Sequence, residues 1–230
     1  MKLANLSVFF PAYNEETNVV ETVEEALATI PKYADEFEVI IINDGSKDRT
    51  KELSEGLSSK YDNVRLVNHD VNRGYGGALK TGFESAKYDF VFFSDIDRQF
   101  KLAEIERLLP LTEYSDISAG YRMKRNDPIH RLINAKAYNI LVRILFGLKV
   151  HDIDCAFKII KKKVLDSVDL KSESQFISAE LLIKAKKKGF TLNELGVHHY
   201  SRETGKPTGN SIKAVVNSFK ELFKLWKELK

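Results

Sequence analysis

Phe90-Val91-Phe92-Phe93-Ser94-Asp95-Ile96-Asp97-Arg98-Gln99 is the stretch on which the fold turns. An unbroken apolar run, without alternation, suits a strand covered on both faces, and such strands belong to parallel sheets held between helices. The run then stops at two acids one residue apart. Similar apolar runs lie at Leu6–Phe10, Phe37–Ile42, Val64–Asn68 and Ile117–Ala119. Between them come polar stretches of helical period at Glu16–Thr29, Asp48–Lys60, Gly77–Lys87 and Leu102–Leu109. This alternation predicts a Rossmann-like α/β fold, with a mostly parallel sheet, flanking helices and right-handed crossovers.

The chain then changes character. Ile129–Leu148 reads as a long helix with Leu132, Ile133, Ala137, Ile140, Leu141, Ile144, Leu145 and Leu148 on or near one face. A strand at Ala156–Ile160, a helix near Ile177–Lys188 and a strand at Thr191–Val197 follow. Ser211–Leu229 closes the chain as an amphipathic helix whose apolar stripe is Ile212, Val215, Val216, Phe219, Leu222, Phe223, Trp226 and Leu229. There is no repeat, low-complexity tract or Gly/Ser linker, so 230 residues read as one elaborated domain, 1–230.

Composition narrows the function classes. With 43% hydrophobic and 30% charged residues the chain is expected to be a soluble globular protein. A net charge of +3 gives no argument for a nucleic-acid partner. The single cysteine, Cys155, excludes an internal disulfide and fits a reducing cytoplasm. The start, MKLANLSVFF, runs straight into a strand pattern, so no signal peptide is expected. No stretch of about 18 apolar residues predicts a membrane span, which leaves peripheral contact as the expected mode.

In open parallel sheets ligands bind outside the carboxyl ends of the strands. Four successive strand ends here deliver polar, turn-forming or acidic residues: Pro11-Ala12-Tyr13-Asn14-Glu15, then Asn43-Asp44-Gly45-Ser46, then Asn72-Arg73-Gly74-Tyr75-Gly76-Gly77, then Asp95–Gln99. Asp95 and Asp97 can share a hard cation, Mg²⁺ or Mn²⁺, which prefers oxygen ligands and leaves places for substrate phosphates. Gln99 adds a neutral oxygen. The competing reading is that both acids cap a turn or the next helix. Asp44 can accept from a nucleotide base or ribose, and equally belongs to an Asp-Gly-Ser turn. The glycines at 74, 76 and 77 let backbone approach a phosphate, or simply loosen a helix start. Arg122, Arg131 and Arg202 suit bidentate phosphate binding, against the usual role of a surface charge. His198 and His199 read as structural.

These loops resemble those of the family-2 glycosyltransferases, which have a GT-A fold. Pro11–Glu15 resembles the first donor loop, Asp44-Gly45-Ser46 the base-binding turn, and Asp95-Ile96-Asp97 the DXD metal motif. Gln99, Gly120-Tyr121-Arg122, Asp152-Ile153-Asp154-Cys155-Ala156-Phe157-Lys158, Ala179-Glu180-Leu181-Leu182 and Val197-His198-His199-Tyr200-Ser201-Arg202 with Gly205 and Lys206 resemble the polyprenyl-phosphate branch, which includes the dolichol-phosphate mannose synthases. The chain departs from it at Ala135, where the branch often has serine, at Cys155-Ala156-Phe157 in place of Ser-Gly-Phe, and in lacking the membrane helices many relatives carry.

The resemblance implies an inverting, metal-dependent transfer of a sugar from UDP-glucose or GDP-mannose to a polyprenyl phosphate. Residues 1–120 would form the nucleotide-sugar half and 121–230 the acceptor half with the C-terminal helix. Asp97, Arg122 and Arg202 would be catalytic. Pro11, Tyr13, Asn14, Glu15, Asp44, Asp95 and Ile96 would hold the donor. Arg122, Arg131 and Arg202 would hold the lipid phosphate and the donor diphosphate, and Asp95, Asp97 and Gln99 the metal. A lipid phosphate is already ionised near pH 7, and the chain contains no Glu-Asp or Thr-Asp pair of the kind that supplies a base to hydroxyl acceptors. The two long amphipathic helices suit a membrane surface or a membrane-protein partner, and equally packing on the sheet or a homodimer. The rival readings are a same-fold transferase with a soluble sugar or protein acceptor, a non-catalytic nucleotide-sugar-binding protein, and, more weakly, a nucleotidyltransferase.

Overall fold

In the computed structural model, which describes residues 1–123, 129–202 and 212–229, the side chains of 129–133 and 212–216 also lie outside the description. Seven strands lie in one sheet: β1 (Leu3–Ala12), β2 (Ala34–Asn43), β3 (Val64–Asn68), β4 (Phe90–Ser94), β5 (Ile117–Arg122), β6 (Phe157–Lys161) and β7 (Leu192–Val197), in the order β3-β2-β1-β4-β6-β5-β7. The helices are α1 (Val19–Thr29), α2 (Thr50–Lys60), α3 (Gly74–Ser85), α4 (Ile105–Leu108), α5 (Ile129–Phe146), α6 (Lys162–Ser167), α7 (Ile177–Lys187) and α8 (Ile212–Leu229).

The sheet is mostly parallel, as the apolar runs predict. β6 is the exception and runs antiparallel to both β4 and β5, with Ser94 opposite Phe157. The chain leaves β5 at the carboxyl edge and enters β6 from that same edge. Asp152–Ala156 is thereby brought to the ligand edge from the amino end of a strand. Phe9, Phe10, Ile40, Ile41, Ile42, Phe92 and Phe93 are fully buried, so the central strands are covered on both faces. Phe9 and Phe93 stack at 5.5 Å, and Phe83 of α3 sets its edge against both rings. Each such ring contributes roughly 1.5–3 kcal/mol by burial.

Several boundaries shift for local reasons. α2 starts at Thr50, whose N–H donates to Asp48 Oδ1 at 3.0 Å from outside the helix, with Arg49 at the N-cap. The helix expected at Leu102–Leu109 is a single α-turn between two 3₁₀ turns, since Pro110 has no N–H to continue it. α3 begins at Gly74, three residues earlier than expected. α6 follows β6 directly and was not foreseen. In α5 the inward residues are Tyr138 and Val142, whereas Ile140 and Ile144, placed on the apolar face by periodicity, are 48% and 72% exposed. In α8, Leu222 and the unexpected Leu225 are buried and Phe223 is exposed. Tyr138 and Phe219 meet edge-to-face at 5.4 Å and pair the two helices. Among the described residues no helix is long and apolar enough to cross a membrane.

Candidate active site

The first two strand-end loops are sewn together by their own polar groups. The Asn14 N–H donates to Ser46 Oγ at 3.0 Å, the Lys47 N–H to Asn14 Oδ1 at 2.8 Å, and the Glu15 N–H to Thr50 Oγ1 at 2.8 Å. Asn14 reaches this geometry at φ 56°, which asparagine tolerates better than most residues. Pro11 and Tyr13 are half-buried beside it. Gly45 turns at φ +67°, and a Cβ there would lie 2.6 Å from the Asn72 nitrogen. The second loop thus meets the third, where Asn72 Nδ2 donates to the Asp44 carbonyl at 3.1 Å and the Arg73 N–H to Asp44 Oδ1 at 2.8 Å.

The glycine string has a packing role. A Cβ on Gly76 would fall 2.4 Å from the Glu173 carbonyl carbon and the Ser174 oxygen, so α3 begins pressed against that loop. The loop is held by Glu180, a buried carboxylate that accepts the N–H groups of Lys171 and Ser172 and an ion pair from Lys184 at 2.6 Å.

At the end of β4, Asp95 is half-buried and accepts the Tyr75 hydroxyl at 3.1 Å. Burial, with the Asp97 charge added, pushes the Asp95 carboxyl up to about 7, only partly offset by the Tyr75 hydrogen bond and by Arg122 and Arg202. Asp97 is buried; its Oδ1 accepts the Gln99 N–H at 3.1 Å and its Oδ2 accepts Arg202 Nη2 at 3.1 Å. Arg98 completes this turn at φ 60°, a costly conformation for arginine. Gln99 Nε2 donates to the Tyr200 carbonyl at 3.0 Å, and the Tyr200 N–H returns to the Gln99 carbonyl at 2.8 Å. Ile96 faces the core, and its carbonyl accepts Thr22 Oγ1.

This donor set suits a hard divalent cation. Two carboxylates crowd each other enough to hold one of them partly protonated near neutral pH, and a cation relieves that repulsion. Asp97 has lone pairs beyond the two it uses. Gln99 spends its amide nitrogen on Tyr200 and keeps its oxygen. Among the described residues no cluster of three or more His, Cys, Asp or Glu side chains forms a ready-made metal site; Mg²⁺ and Mn²⁺ can be held by one or two carboxylates and completed by substrate phosphates.

Arg202 Nη2 bridges Glu15 Oε1 and Asp97 Oδ2 at 3.0 and 3.1 Å. Its Nε is a buried donor without a hydrogen-bond partner among the described residues. Glu15 is pushed upward by burial and by Asp97, against the pull of Asn18 and Arg202. Arg122 forms a bidentate pair with Asp152, Nε to Oδ2 at 2.6 Å and Nη2 to Oδ1 at 2.8 Å. Burial alone would depress this guanidinium; the Asp152 carboxylate outweighs it and keeps Arg122 charged. Arg131 lies in α5 with its side chain outside the described residues, and Gly205 and Lys206 lie outside them altogether. Lys158 is buried and donates to the carbonyls of Ile153, at 3.1 Å, and Cys155, fixing the turn that presents Asp152 and Asp154. Burial pushes the Cys155 thiol up to about 12, which leaves it inert as a nucleophile. His198 pairs with Glu104 at 3.1 Å, and His199 sits against the Phe100 ring.

Four residues of interest escaped the sequence reading. His69 stands one residue past β3, a position the strand-end rule covers. Tyr75 was hidden within the glycine string. Thr81 gave no signal. Tyr138 was not singled out, and its hydroxyl is a buried donor without a hydrogen-bond partner among the described residues.

Residues 7–169 match the family profile described as glycosyl transferase family 2. The chain belongs to this family. It is 32% identical to glycosyltransferase AglD of Haloferax volcanii over 84% of its own length and 32% of that protein's. It is 30% identical to the undecaprenyl-phosphate 4-deoxy-4-formamido-L-arabinose transferase of Pectobacterium atrosepticum, over 72% of its length and 51% of that protein's. The chain therefore spans about a third to a half of these two relatives. The dolichyl-phosphate beta-glucosyltransferase ALG5A of Trichomonas vaginalis is 28% identical over 84% of this chain and 64% of its own. Among solved structures, glucosyl-3-phosphoglycerate synthase from Mycobacterium tuberculosis, in complex with Mn²⁺ and UDP-glucose, superimposes with a TM-score of 0.70 at 18% identity, covering 96% of this chain and 77% of that one. The GT-A fold implied by the strand-end loops is thus the fold of this family-2 member.

Proposed function

We propose that this chain is an inverting glycosyltransferase that moves a hexose from a nucleoside diphosphate to a polyprenyl phosphate, in one domain with its donor half at 1–120 and its acceptor half at 121–230. The observation that carries this reading is the Asp97–Arg202 pair beside Asp95, with Arg202 Nε a buried donor that has no hydrogen-bond partner among the described residues. A diphosphate is the ligand whose charge suits both an acid-bound cation and an unsatisfied guanidinium. Mg²⁺ or Mn²⁺ held by Asp95, Asp97 and Gln99 would neutralise the departing diphosphate. Arg202 would bind a phosphate oxygen through Nε while Glu15 steadies it. Arg122, kept charged by Asp152, would hold the acceptor phosphate together with Arg131, and Asp44 would receive the base beside Pro11, Tyr13, Asn14 and Ile96. The acceptor oxygen is already ionised, so no side chain need remove its proton.

The names of the Pectobacterium and Trichomonas relatives, an undecaprenyl-phosphate and a dolichyl-phosphate transferase, support a lipid phosphate as acceptor. The exposed Ile140, Ile144 and Phe223, together with the exposed Lys220, Lys224 and Lys227 of α8, support peripheral contact with an anionic membrane, whose cytoplasmic face is the side proposed. The test combines purified protein, Mn²⁺ or Mg²⁺, a short polyprenyl phosphate and a panel of UDP- and GDP-sugars, and reads nucleoside diphosphate release. Release that needs the lipid and disappears in Asp97→Ala is expected. Release indifferent to the lipid would move the acceptor to a soluble hydroxyl, and absence of both release and nucleotide-sugar binding would end the transferase reading.

A further inference from the structure

Asp44, at the ligand edge, has one carboxylate oxygen doubly occupied by neighbouring donors. Its Oδ1 accepts His69 Nδ1 at 2.7 Å and the Arg73 N–H at 2.8 Å. A carboxylate can only accept, so Nδ1 carries a proton; Nε2 lies 2.9 Å from the Thr81 hydroxyl and in the neutral ring accepts from it. The imidazole and carboxyl side chains are 6% and 3% exposed. The relay runs from α3 through the residue after β3 to the end of β2, three elements fixed by the sheet. Its effect is to saturate Oδ1 and leave Oδ2 as the carboxylate's remaining acceptor.

From this we infer that His69 is a specificity-determining positioning residue: by occupying Asp44 Oδ1 through the Thr81–His69 relay it confines base recognition to one carboxylate oxygen and selects a uracil-type base over guanine. The inference rests on the donor-site reading above. Uracil presents a single N–H, flanked by two carbonyls, and one acceptor oxygen satisfies it. Guanine presents adjacent ring N–H and amino donors, which call for both oxygens of a carboxylate. With Oδ1 taken, one guanine donor enters a buried site unpaired, and such a donor lowers affinity by about tenfold or more. Releasing Oδ1 should therefore improve guanine relative to uracil, which is the opposite of general damage to the pocket.

The experiment is calorimetric titration of the protein with UDP and with GDP in Mn²⁺, on wild type, His69→Leu and Thr81→Val, with thermal melts run alongside. Wild type should bind UDP at least about tenfold tighter than GDP. His69→Leu should bring the two affinities together, and Thr81→Val should move the ratio the same way by less. Should His69→Leu fail to fold, His69→Asn, whose amide can still donate to Oδ1, is expected to keep the wild-type preference while Thr81→Val relaxes it. Equal or tighter GDP binding by wild type, or an unchanged ratio in both folded relay variants, overturns the inference while leaving the transferase reading intact. Binding of neither nucleotide overturns the donor-site reading and this inference with it.

Discussion

Replacing Asp95 by asparagine should make the metal-free protein more stable at pH 8 while destroying the site. The Asp95 carboxyl is raised from 3.8 to about 7, first by burial and then by the neighbouring Asp97 charge. The folded chain therefore holds a proton there across a pH range in which the unfolded chain has lost it. That contribution to stability is present at low pH and disappears as pH rises from about 4 to about 7. Above 7 the folded protein carries the full cost of a buried, repelled charge, at ~1.4 kcal/mol per tenfold change in proton affinity a ceiling of ~4 kcal/mol. Asparagine keeps the oxygen that accepts the Tyr75 hydroxyl and removes the charge. Melting in EDTA should show Asp95→Asn above wild type by ~5–15 °C at pH 8, taking ~2–4 °C per kcal/mol for a chain of this size. Near pH 4 the two should coincide. Added Mn²⁺ should raise the melting temperature of wild type and leave the variant unmoved. An Asp95→Asn protein no more stable than wild type at pH 8 in EDTA would refute the claim that the acid pair is held in repulsion.

Arg122→Ala leaves the Asp152 carboxylate buried without its bidentate partner and should cost ~3–5 kcal/mol in urea unfolding, a loss largely recovered by adding Asp152→Asn. Gly76→Ala drives a Cβ to 2.4 Å from the 173–174 backbone and should lower stability by ~1–3 kcal/mol by denaturant melt, where an ordinary helix Gly→Ala would raise it. Glu180→Ala frees the Lys171 and Ser172 N–H groups inside the protein and should cost ~2–4 kcal/mol, with increased protease cutting within 171–176. Ile144→Glu, at a 72% exposed position, should leave melting unchanged and weaken co-sedimentation with anionic vesicles by about tenfold.

The first half of the chain was legible in the sequence because its signals are local. Phe90–Ser94 is a strand whose ends match the apolar run residue for residue, since an element covered on both faces leaves few polar positions to blur its limits; the half-buried edge strand Val64–Asn68 also matches, though Arg65 and Asn68 interrupt its apolar run. The acids that follow β4 then fell at the ligand edge by topology alone. The second half was less legible because its elements are shared surfaces. Periodicity put Ile140 and Ile144 on the inward face of α5, but α8 packs against a stripe rotated toward Tyr138 and Val142, a choice made by a partner helix distant in sequence. β6 carried no mark of its reversed direction; that follows from where α5 delivers the chain, and strand propensity is indifferent to it.

The arginines show the same limit at the level of the site. As residue types, Arg122 and Arg202 looked alike, both free cations suited to phosphate. Folding separates them. Arg122 is spent on Asp152 in a closed two-bond pair, so any phosphate it meets must share a guanidinium whose better edge is taken. Arg202 touches two acids through a single nitrogen and keeps Nε buried, with no partner among the described residues. An unsatisfied buried donor costs ~1–3 kcal/mol, and a ligand oxygen that satisfies it recovers that cost. Arg202 should accordingly contribute more to diphosphate affinity than Arg122. Titrating UDP in Mn²⁺ should give a larger loss for Arg202→Lys, which removes the Nε donor, than for Arg122→Lys; the reverse order would place the diphosphate on Arg122 and leave Arg202 a clamp between Glu15 and Asp97.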